Sequence, residues 1–151
     1  MVQNKDPLLL ENQICFPFYV ISKEIIRRYT PLLEPLGLTY TQYIAMMILW
    51  EYGSMTVKQL GEKMFLDSGT LSPLVRKLES KGLINKKVDF DDERSKVITL
   101  TKRGKDLKAK CAHIPESLAK SVDVSQKEFI TLQKTLFSIV ENWRKNQNSL
   151  D

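Results

Sequence analysis

The feature that most constrains the fold is a change of apolar period at Gly82. Before this glycine, apolar residues recur at steps of three and four, which predicts a helix with one apolar face: Leu71, Leu74, Val75 and Leu78. After it, two short β-prone runs at 83–88 and 97–100 flank a polar segment at 89–95, a pattern typical of a hairpin with a charged tip. Gly82 itself suits the left-handed position that ends a helix. The sequence therefore predicts a helix followed at once by a β-hairpin.

Two further helix starts lie around this unit. The stretch from Thr56 to Gln59 matches the capping box, in which the Thr and Gln side chains satisfy unpaired backbone N–H groups. The stretch from Leu66 to Thr70 is a second cluster of residues that favour the N-cap position. A short helix, a tight turn, a polar-capped helix and a charged hairpin predict a winged helix-turn-helix over about 41–100.

Long helices are predicted on the N-terminal side of this unit. Apolar residues keep a helical spacing from Leu10 to Leu33, and Pro31, Pro35 and Gly37 punctuate the end of that helix. A second helix begins near Thr41 and is apolar nearly all round, which predicts a central, buried helix.

More helix is predicted on the C-terminal side. Thr101 caps a helix that runs past Cys111 and bends at Pro115. The stretch from Ser125 to Glu128 is another capping box, and a helix with an apolar stripe follows it. The predicted fold is therefore mainly α, with a short β-hairpin wing, in one domain at 1–151.

Composition excludes several classes of protein. Two Cys among 151 residues are too few for a disulfide scaffold, and a single His argues against a His-rich metal site or a Ser-His-Asp enzyme. The longest apolar run, Tyr43 to Trp50, is far shorter than the roughly 18 residues that a membrane span needs. The N-terminus lacks the pattern of a signal peptide. We therefore expect a cytoplasmic protein without a metal, a cofactor or a membrane partner.

The positive charge is concentrated in the middle of the chain. The segment from Ser68 to Arg103 holds nine cationic and five anionic residues, a local charge of +4 out of +5 for the whole chain. A locally basic region is typical of a nucleic-acid interface, although a solvated Lys and Arg surface gives the same signal.

If one helix of this unit docks into a major groove of double-stranded DNA, the residues that contact the DNA can be named. The exposed face of the second helix of the unit offers small polar and basic side chains to base edges and phosphates: Ser68, Thr70, Ser72, Arg76 and Lys77. Lys86 and Lys87 on the hairpin are expected to contact phosphates. Arg94 near the hairpin tip is expected to enter a minor groove, oriented by Asp92. The alternative is an ordinary helical core with solvated caps.

A set of short motifs resembles the MarR family of winged-helix repressors: Leu66 to Leu74, Lys81 to Ile84, Asp91 to Arg94, and Leu100-Thr101. Asp67 to Pro73 and Glu11 to Phe16 are similar to its organic hydroperoxide-responsive OhrR/SarZ branch. The resemblance implies an obligate homodimer on a pseudo-palindromic operator. Its dimerisation helices are expected at about 8–34 and 102–147.

Cys15 has two interpretations. A lone Cys is commonly a small buried hydrophobe, whereas a reactive Cys needs access and stabilisation of its thiolate. The resemblance implies the second role, with Tyr29 and Tyr40 of the partner subunit contacting the thiolate. Cys111 is either a resolving cysteine for oxidised Cys15 or a core residue.

The sequence therefore predicts a repressor that releases DNA when an organic hydroperoxide oxidises Cys15. Three alternatives stay open: a repressor that responds to a small ligand in the crevice between the dimerisation and DNA-binding regions, a thiol peroxidase, and a DNA-binding protein without a sensor.

Overall fold

The computed structural model describes residues 6–90, 94–120 and 123–147. The chain divides into two compact units, Met1–Pro115 and Glu116–Asp151. The first unit contains the predicted helix-turn-helix and hairpin, and the second unit contains one long helix.

The first long helix, α1 (Cys15–Leu33), starts later than predicted. A short 3-10 helix, Leu10–Asn12, precedes it, and Gln13 between the two has extended backbone angles. Pro17 lies in the first turn of α1, where its missing N–H has no helical partner to lose. Pro31 lies inside the last turn of α1 and does not end the helix, which continues to Leu33.

The central helix, α2 (Tyr40–Tyr52), is buried as predicted, with Ala45, Met46 and Leu49 fully enclosed. It begins one residue before the predicted start because Thr39 and Gln42 form a capping box. The backbone N–H of Gln42 donates to Oγ1 of Thr39 at 3.3 Å, and the N–H of Thr39 donates to Oε1 of Gln42 at 3.2 Å.

The helix-turn-helix consists of α3 (Val57–Met64) and α4 (Ser68–Ser80). The predicted capping box is confirmed, since the backbone N–H of Gln59 donates to Oγ1 of Thr56 at 3.1 Å. Gly61 lets the two helices approach closely: a Cβ there would lie 2.9 Å from Cδ2 of Leu71. Phe65, in the turn, has a φ of 54°, which is a strained conformation for a bulky residue.

The wing is the predicted hairpin of β2 (Ile84–Val88) and β3 (Lys96–Leu100), paired antiparallel with Ile84 opposite Leu100. A third strand, β1 (Met55–Thr56), was not predicted, because two residues are too few to show a period. It pairs with the other side of β3, so the sheet order is β1-β3-β2.

Five residues connect the base of the wing to α2 and α5, and we call them the wing-base junction: Trp50, Gly82, Leu83, Thr101 and Gly104. Thr101 caps α5 (Lys102–Cys111) as predicted, and its hydroxyl donates to the carbonyl of Gly82 at 2.7 Å. The Trp50 indole N–H donates to the carbonyl of Gly104 at 2.8 Å. A Cβ on Gly104 would lie 2.0 Å from the carbonyl oxygen of Leu83, so only glycine fits there.

The predicted bend at Pro115 is instead a break between two helices. α5 ends at Cys111, and α6 (Ile114–Ala119) starts one residue before Pro115, which suits the first turn of a helix. In the second unit, α7 (Gln126–Gln147) begins at the predicted capping box of Ser125 and Glu128. The described residues of the expected dimerisation segment, 102–120 and 123–147, thus form three helices.

We expect Gly104→Ala to lower the free energy of unfolding by about 3 kcal/mol, because the added methyl overlaps a backbone carbonyl that cannot move aside. Urea unfolding followed by circular dichroism measures this loss. Lys105→Ala, a change of an exposed neighbour on the same helix, is the matched control and should stay within about 0.5 kcal/mol of the wild type. An equal loss in both variants would contradict the assigned contact.

Candidate nucleic-acid interface and reactive cysteine

α4 presents two different faces. Its apolar residues, Leu71, Leu74, Val75 and Leu78, are buried against the rest of the first unit. The five predicted base- and phosphate-contacting residues are all exposed: Ser68, Thr70, Ser72, Arg76 and Lys77. The structure therefore presents these five side chains to solvent, as contact with DNA requires.

A groove of about 340 Å³ runs between α4, the start of α3 and the wing; we call it the recognition groove. It brings together Ser72, Arg76, Lys86 and Arg94 of the predicted set. Its lining also includes two cations that the sequence reasoning missed, Lys58 and Lys96. Their signal was too weak to find, because a single Lys on a short helix or at the end of a strand is common on any surface.

Among the lining residues that the structure describes, five are cationic and none is anionic: Lys58, Arg76, Lys86, Arg94 and Lys96. Like charges gathered on one concave surface raise the local positive potential and attract a polyanion. This groove therefore has the sign of charge that contact with a phosphate backbone requires.

The two wing lysines differ. Lys86 is half-buried: its backbone N–H donates to Oε1 of Glu79 at 3.2 Å, and its Nζ lies 3.7 Å from Oε2. Lys87 is exposed. Arg94 is exposed, whereas Asp92, expected to orient it, lies outside the described residues. Glu79 thus fixes the start of the wing against α4, and Lys87 faces solvent.

Asp67 holds the first turn of α4. Its Oδ1 accepts from the backbone N–H of Thr70 at 2.8 Å, and its Oδ2 lies 3.4 Å from the Thr70 hydroxyl. These hydrogen bonds lower the pKa of Asp67, so its carboxylate is ionised at neutral pH. The cap therefore fixes the backbone that carries Ser68 and Thr70.

Cys15 is exposed and is the first residue of α1. Its thiol lies 3.9 Å from Oε1 of Gln13, toward which it donates. Cys15 therefore has the access to solvent that a reactive cysteine needs.

Tyr29, Tyr40 and Tyr43 form an aromatic cluster. The ring centroids of Tyr29 and Tyr40 are 4.8 Å apart, and those of Tyr29 and Tyr43 are 5.7 Å apart. Burial raises the pKa of Tyr29 and Tyr40, and it raises the pKa of Tyr43 to about 12. These phenols therefore stay protonated at neutral pH and keep an O–H to donate.

One copy of the chain does not bring Cys15 to this cluster. Cys15 and Tyr29 lie 14 residues apart on the same helix, so they are about 21 Å apart along its axis. Tyr40 packs on Tyr29 and is therefore at the same end. A contact between Cys15 and these tyrosines requires a second copy of the chain.

Cys111 has a different environment. It is only 3% exposed, and burial raises the pKa of its thiol. An ionised Cys111 also raises the pKa of Tyr43. These features favour the core alternative for Cys111.

Across residues 6–90, 94–120 and 123–147, no group of three or more His, Cys, Asp and Glu side chains is placed to hold a metal ion. No helix in the same ranges is both long and apolar enough to cross a membrane.

Comparison with known proteins gives the same class as the fold. Residues 27–111 match the family model described as transcriptional regulator SarA/Rot. The chain is 42% identical over 141 residues to the organic hydroperoxide resistance transcriptional regulator of Bacillus subtilis (strain 168), covering 93% of this chain and 96% of that protein. It is 44% identical over 131 residues to the HTH-type transcriptional regulator SarZ of Staphylococcus saprophyticus, covering 87% of this chain and 90% of that protein.

Solved structures of AbfR from Staphylococcus epidermidis have a similar fold. Reduced AbfR bound to DNA is 30% identical, with a TM-score of 0.69 and coverage of 87% of this chain and 96% of that one. Overoxidized AbfR bound to DNA is 32% identical, with a TM-score of 0.68 and coverage of 86% and 94%. The chain belongs to the SarA/Rot family of winged helix-turn-helix transcriptional regulators, and its resemblance to the OhrR/SarZ branch is confirmed.

We expect the two thiols to react at very different rates. A small alkylating reagent at neutral pH should modify Cys15 in the folded protein and leave Cys111 unmodified, because only Cys15 is accessible. Mass spectrometry of the digested protein measures the extent at each site. Unfolding in urea before alkylation is the control and should make both sites react. Equal rates in the folded protein would contradict the assigned burial of Cys111.

Proposed function

We propose that this protein is a DNA-binding transcriptional repressor that releases its operator when an organic hydroperoxide oxidises Cys15. The observation that carries the proposal is the exposed cysteine at the first residue of α1, in a chain 42% identical to an organic hydroperoxide resistance regulator. A transcriptional regulator acts where the DNA is, so we place this protein in the cytoplasm.

The chemistry needs only a thiolate and the oxidant. The Cys15 thiolate attacks one oxygen of the hydroperoxide, the O–O bond breaks, and the other oxygen leaves with the electron pair and takes a proton to become an alcohol. Cys15 is oxidised to the sulfenic acid, and the hydroperoxide is reduced. A later reaction with a thiol converts the sulfenic acid into a disulfide and water. No metal or cofactor takes part.

DNA binding is assigned to α4 and the recognition groove. α4 enters the major groove with Ser68, Thr70 and Ser72 near base edges, and Arg76 and Lys77 near phosphates. The wing places Arg94 at the adjacent minor groove, where the negative potential favours an arginine. Support comes from the exposure of these side chains, from the cationic lining of the groove and from the DNA-bound structures of AbfR.

A homodimer completes the sensor in this proposal. Large apolar side chains are exposed on both terminal helices, such as Phe18 and Ile21 on α1 and Phe137 and Trp143 on α7. Exposed apolar surface of this kind marks an interface with another chain. Joining two copies through these helices places Cys15 near Tyr29 and Tyr40 of the partner subunit. Two recognition helices then read a pseudo-palindromic site together.

Oxidation weakens DNA binding through the dimer. The phenol O–H groups donate to the Cys15 thiolate in the reduced protein, and this contact changes when the sulfur gains an oxygen. A shift of the dimer helices then alters the spacing of the two α4 helices, so both half-sites no longer fit at once.

The alternative functions predict different responses to replacement of Cys15 and different turnover of hydroperoxide. A repressor that responds to a small ligand keeps its response when Cys15 is replaced. A thiol peroxidase turns over hydroperoxide many times with excess thiol, whereas a sensor reacts about once per subunit for each cycle of reduction. The family consists of transcriptional regulators, which favours the sensor over the enzyme.

We expect Arg94→Ala to weaken DNA binding by about 10- to 100-fold, because a minor-groove arginine contributes both charge and hydrogen bonds. Fluorescence anisotropy at fixed salt, with a duplex selected by the protein from a random pool, measures the affinity. Lys108→Ala removes the same charge from exposed α5 and is the matched control, expected to bind like the wild type. Equal affinities for both variants would contradict the wing assignment.

We expect Cys15→Ser to fold and to bind DNA, and to stay bound after treatment with cumene hydroperoxide that releases the wild type. Serine is close to cysteine in size but has no sulfur to oxidise. Tyr29→Phe and Tyr40→Phe should respond weakly, since each loses a donor. The measurement is anisotropy before and after oxidation. Release of Cys15→Ser to the same extent as the wild type would favour the small-ligand alternative.

Cys111→Ser is the control that separates the two redox routes. Because Cys111 is buried, we expect this variant to respond like the wild type, with an external thiol forming the disulfide with Cys15. A lost response, together with an intersubunit crosslink of the wild type on a non-reducing gel, would instead assign Cys111 as the resolving cysteine.

A further inference from the structure

The wing carries an apolar surface that the DNA contacts described above do not use. Phe90, two residues past the end of β2, is 99% exposed, although the sequence predicts a charged hairpin tip. Val88, the last residue of β2, is 58% exposed. Water is an unfavourable environment for a large apolar ring, and exposed apolar side chains that lie together indicate a surface that another molecule covers.

The register of the hairpin places Phe90 beside Arg94. The backbone N–H of Asp89 donates to the carbonyl of Ser95 at 2.9 Å, so the pairing of β2 with β3 continues one residue past both strands. The next pair in this register is Phe90 and Arg94. Residues directly opposite each other on antiparallel strands point to the same face, with Cβ atoms about 5 Å apart. Phe90 and Arg94 are therefore neighbours on one face of the wing.

This face of the wing contributes to the recognition groove. Side chains alternate between the two faces of a strand, so Phe90 shares its face with Val88 and Lys86. Lys96 lies opposite Val88 and is on the same face. Lys86, Arg94 and Lys96 all line the recognition groove. Phe90 therefore adds an apolar ring to the cationic face of the wing, next to its tip.

An apolar ring flanked by cations matches the surface of a DNA minor groove. Deoxyribose rings form the walls of this groove and present apolar C–H groups, and phosphates border them. The cations beside Phe90 attract the phosphates, while the ring can pack on the sugars. Many proteins that enter a minor groove carry a phenylalanine or another apolar side chain there. The neighbouring cations therefore favour DNA over a protein as the molecule that covers Phe90.

We propose that Phe90 is a DNA-contacting residue of the wing, whose ring enters the minor groove beside Arg94 and packs against deoxyribose. Burial of an apolar ring releases no counterions, so this contact adds affinity that does not depend on salt. The inference rests on the proposed placement of Arg94 at the minor groove, and it adds a contact of a different chemical kind.

Affinity and its salt dependence test the contact together. Phe90→Ala should weaken binding to the selected duplex by about 10-fold, because an apolar side chain is no longer buried. The slope of log Kd against log salt should stay that of the wild type. Lys96→Ala, the matched control on the same face, should lower this slope by about 1, because it removes a phosphate contact. An unchanged affinity of Phe90→Ala, or a changed slope, overturns the proposal.

Further variants separate the contact from an effect on folding. Phe90→Ala should have the Tm of the wild type, because the ring is exposed. Phe90→Leu keeps an apolar side chain and should bind within about threefold of the wild type. Tyr52→Ala removes another exposed aromatic ring, outside the recognition groove, and should bind like the wild type. A lower Tm of Phe90→Ala, or equal losses of affinity in Phe90→Ala and Tyr52→Ala, overturns the proposal.

Hydroxyl-radical footprinting locates the contact on the DNA. The radical abstracts hydrogen from deoxyribose, so a ring packed on a sugar protects that nucleotide from cleavage. Radicals formed from water by X-rays avoid the addition of a peroxide, which reacts with thiols. At saturating protein, Phe90→Ala should lose protection at the nucleotides that Arg94→Ala also exposes, or at their immediate neighbours. Loss at other nucleotides only, or no loss, overturns the placement of the ring.

The wild type separates this inference from the proposed function. A wild-type protein that selects and binds no duplex would contradict the proposed function, and the role of Phe90 would fall with it. A wild type that binds its duplex no more tightly than Phe90→Ala would contradict the role of Phe90 alone.

Discussion

The close contact between Gly104 and the carbonyl of Leu83 is the constraint on which the first unit depends. It sets the first turn of α5 directly against the base of the wing, with no room for a Cβ. Thr101 caps α5 and donates to the Gly82 carbonyl, while the indole of Trp50 ties α2 to Gly104. α2, α5 and both wing strands therefore meet at one small set of residues. These contacts hold α5 and α2 in place against the base of the wing.

Acidic and basic side chains have different roles around this framework. Carboxylates fix backbone: Asp67 caps the start of α4, and Glu79 holds the start of the wing through Lys86. The recognition groove is lined by cations and has no carboxylate among its described lining residues. The two carboxylates thus hold the backbone of α4 and of the wing in place, and the cations make the surface of the groove positively charged. This arrangement supports the proposed contact with DNA.

The proposed sensor depends on the length of α1. Cys15 and Tyr29 are on one helix and about 21 Å apart along its axis, so they cannot meet within one copy of the chain. Burial of Tyr29 and Tyr40 raises the pKa of both phenols and keeps them as donors at neutral pH. In the proposed dimer, Cys15 of one subunit lies against the tyrosine cluster of the partner subunit. Sensing therefore requires both subunits. In the proposed function, the same dimer sets the spacing of the two α4 helices.

The sequence by itself determined the local structure: the capping boxes at Thr56 and Ser125, the cap at Asp67, the left-handed Gly82 and the hairpin, because each depends on residues close together in the chain. It also determined which face of α4 is exposed, since helical periodicity alone sets that face. Only the tertiary structure decided the partners of distant residues. It paired β1 with β3, joined Lys58 and Lys96 to the recognition groove, buried Cys111 and placed Lys81 beside Gln42. These contacts depend on how helices pack against the sheet, and side-chain volume and charge at distant positions carry no periodic signal in the sequence.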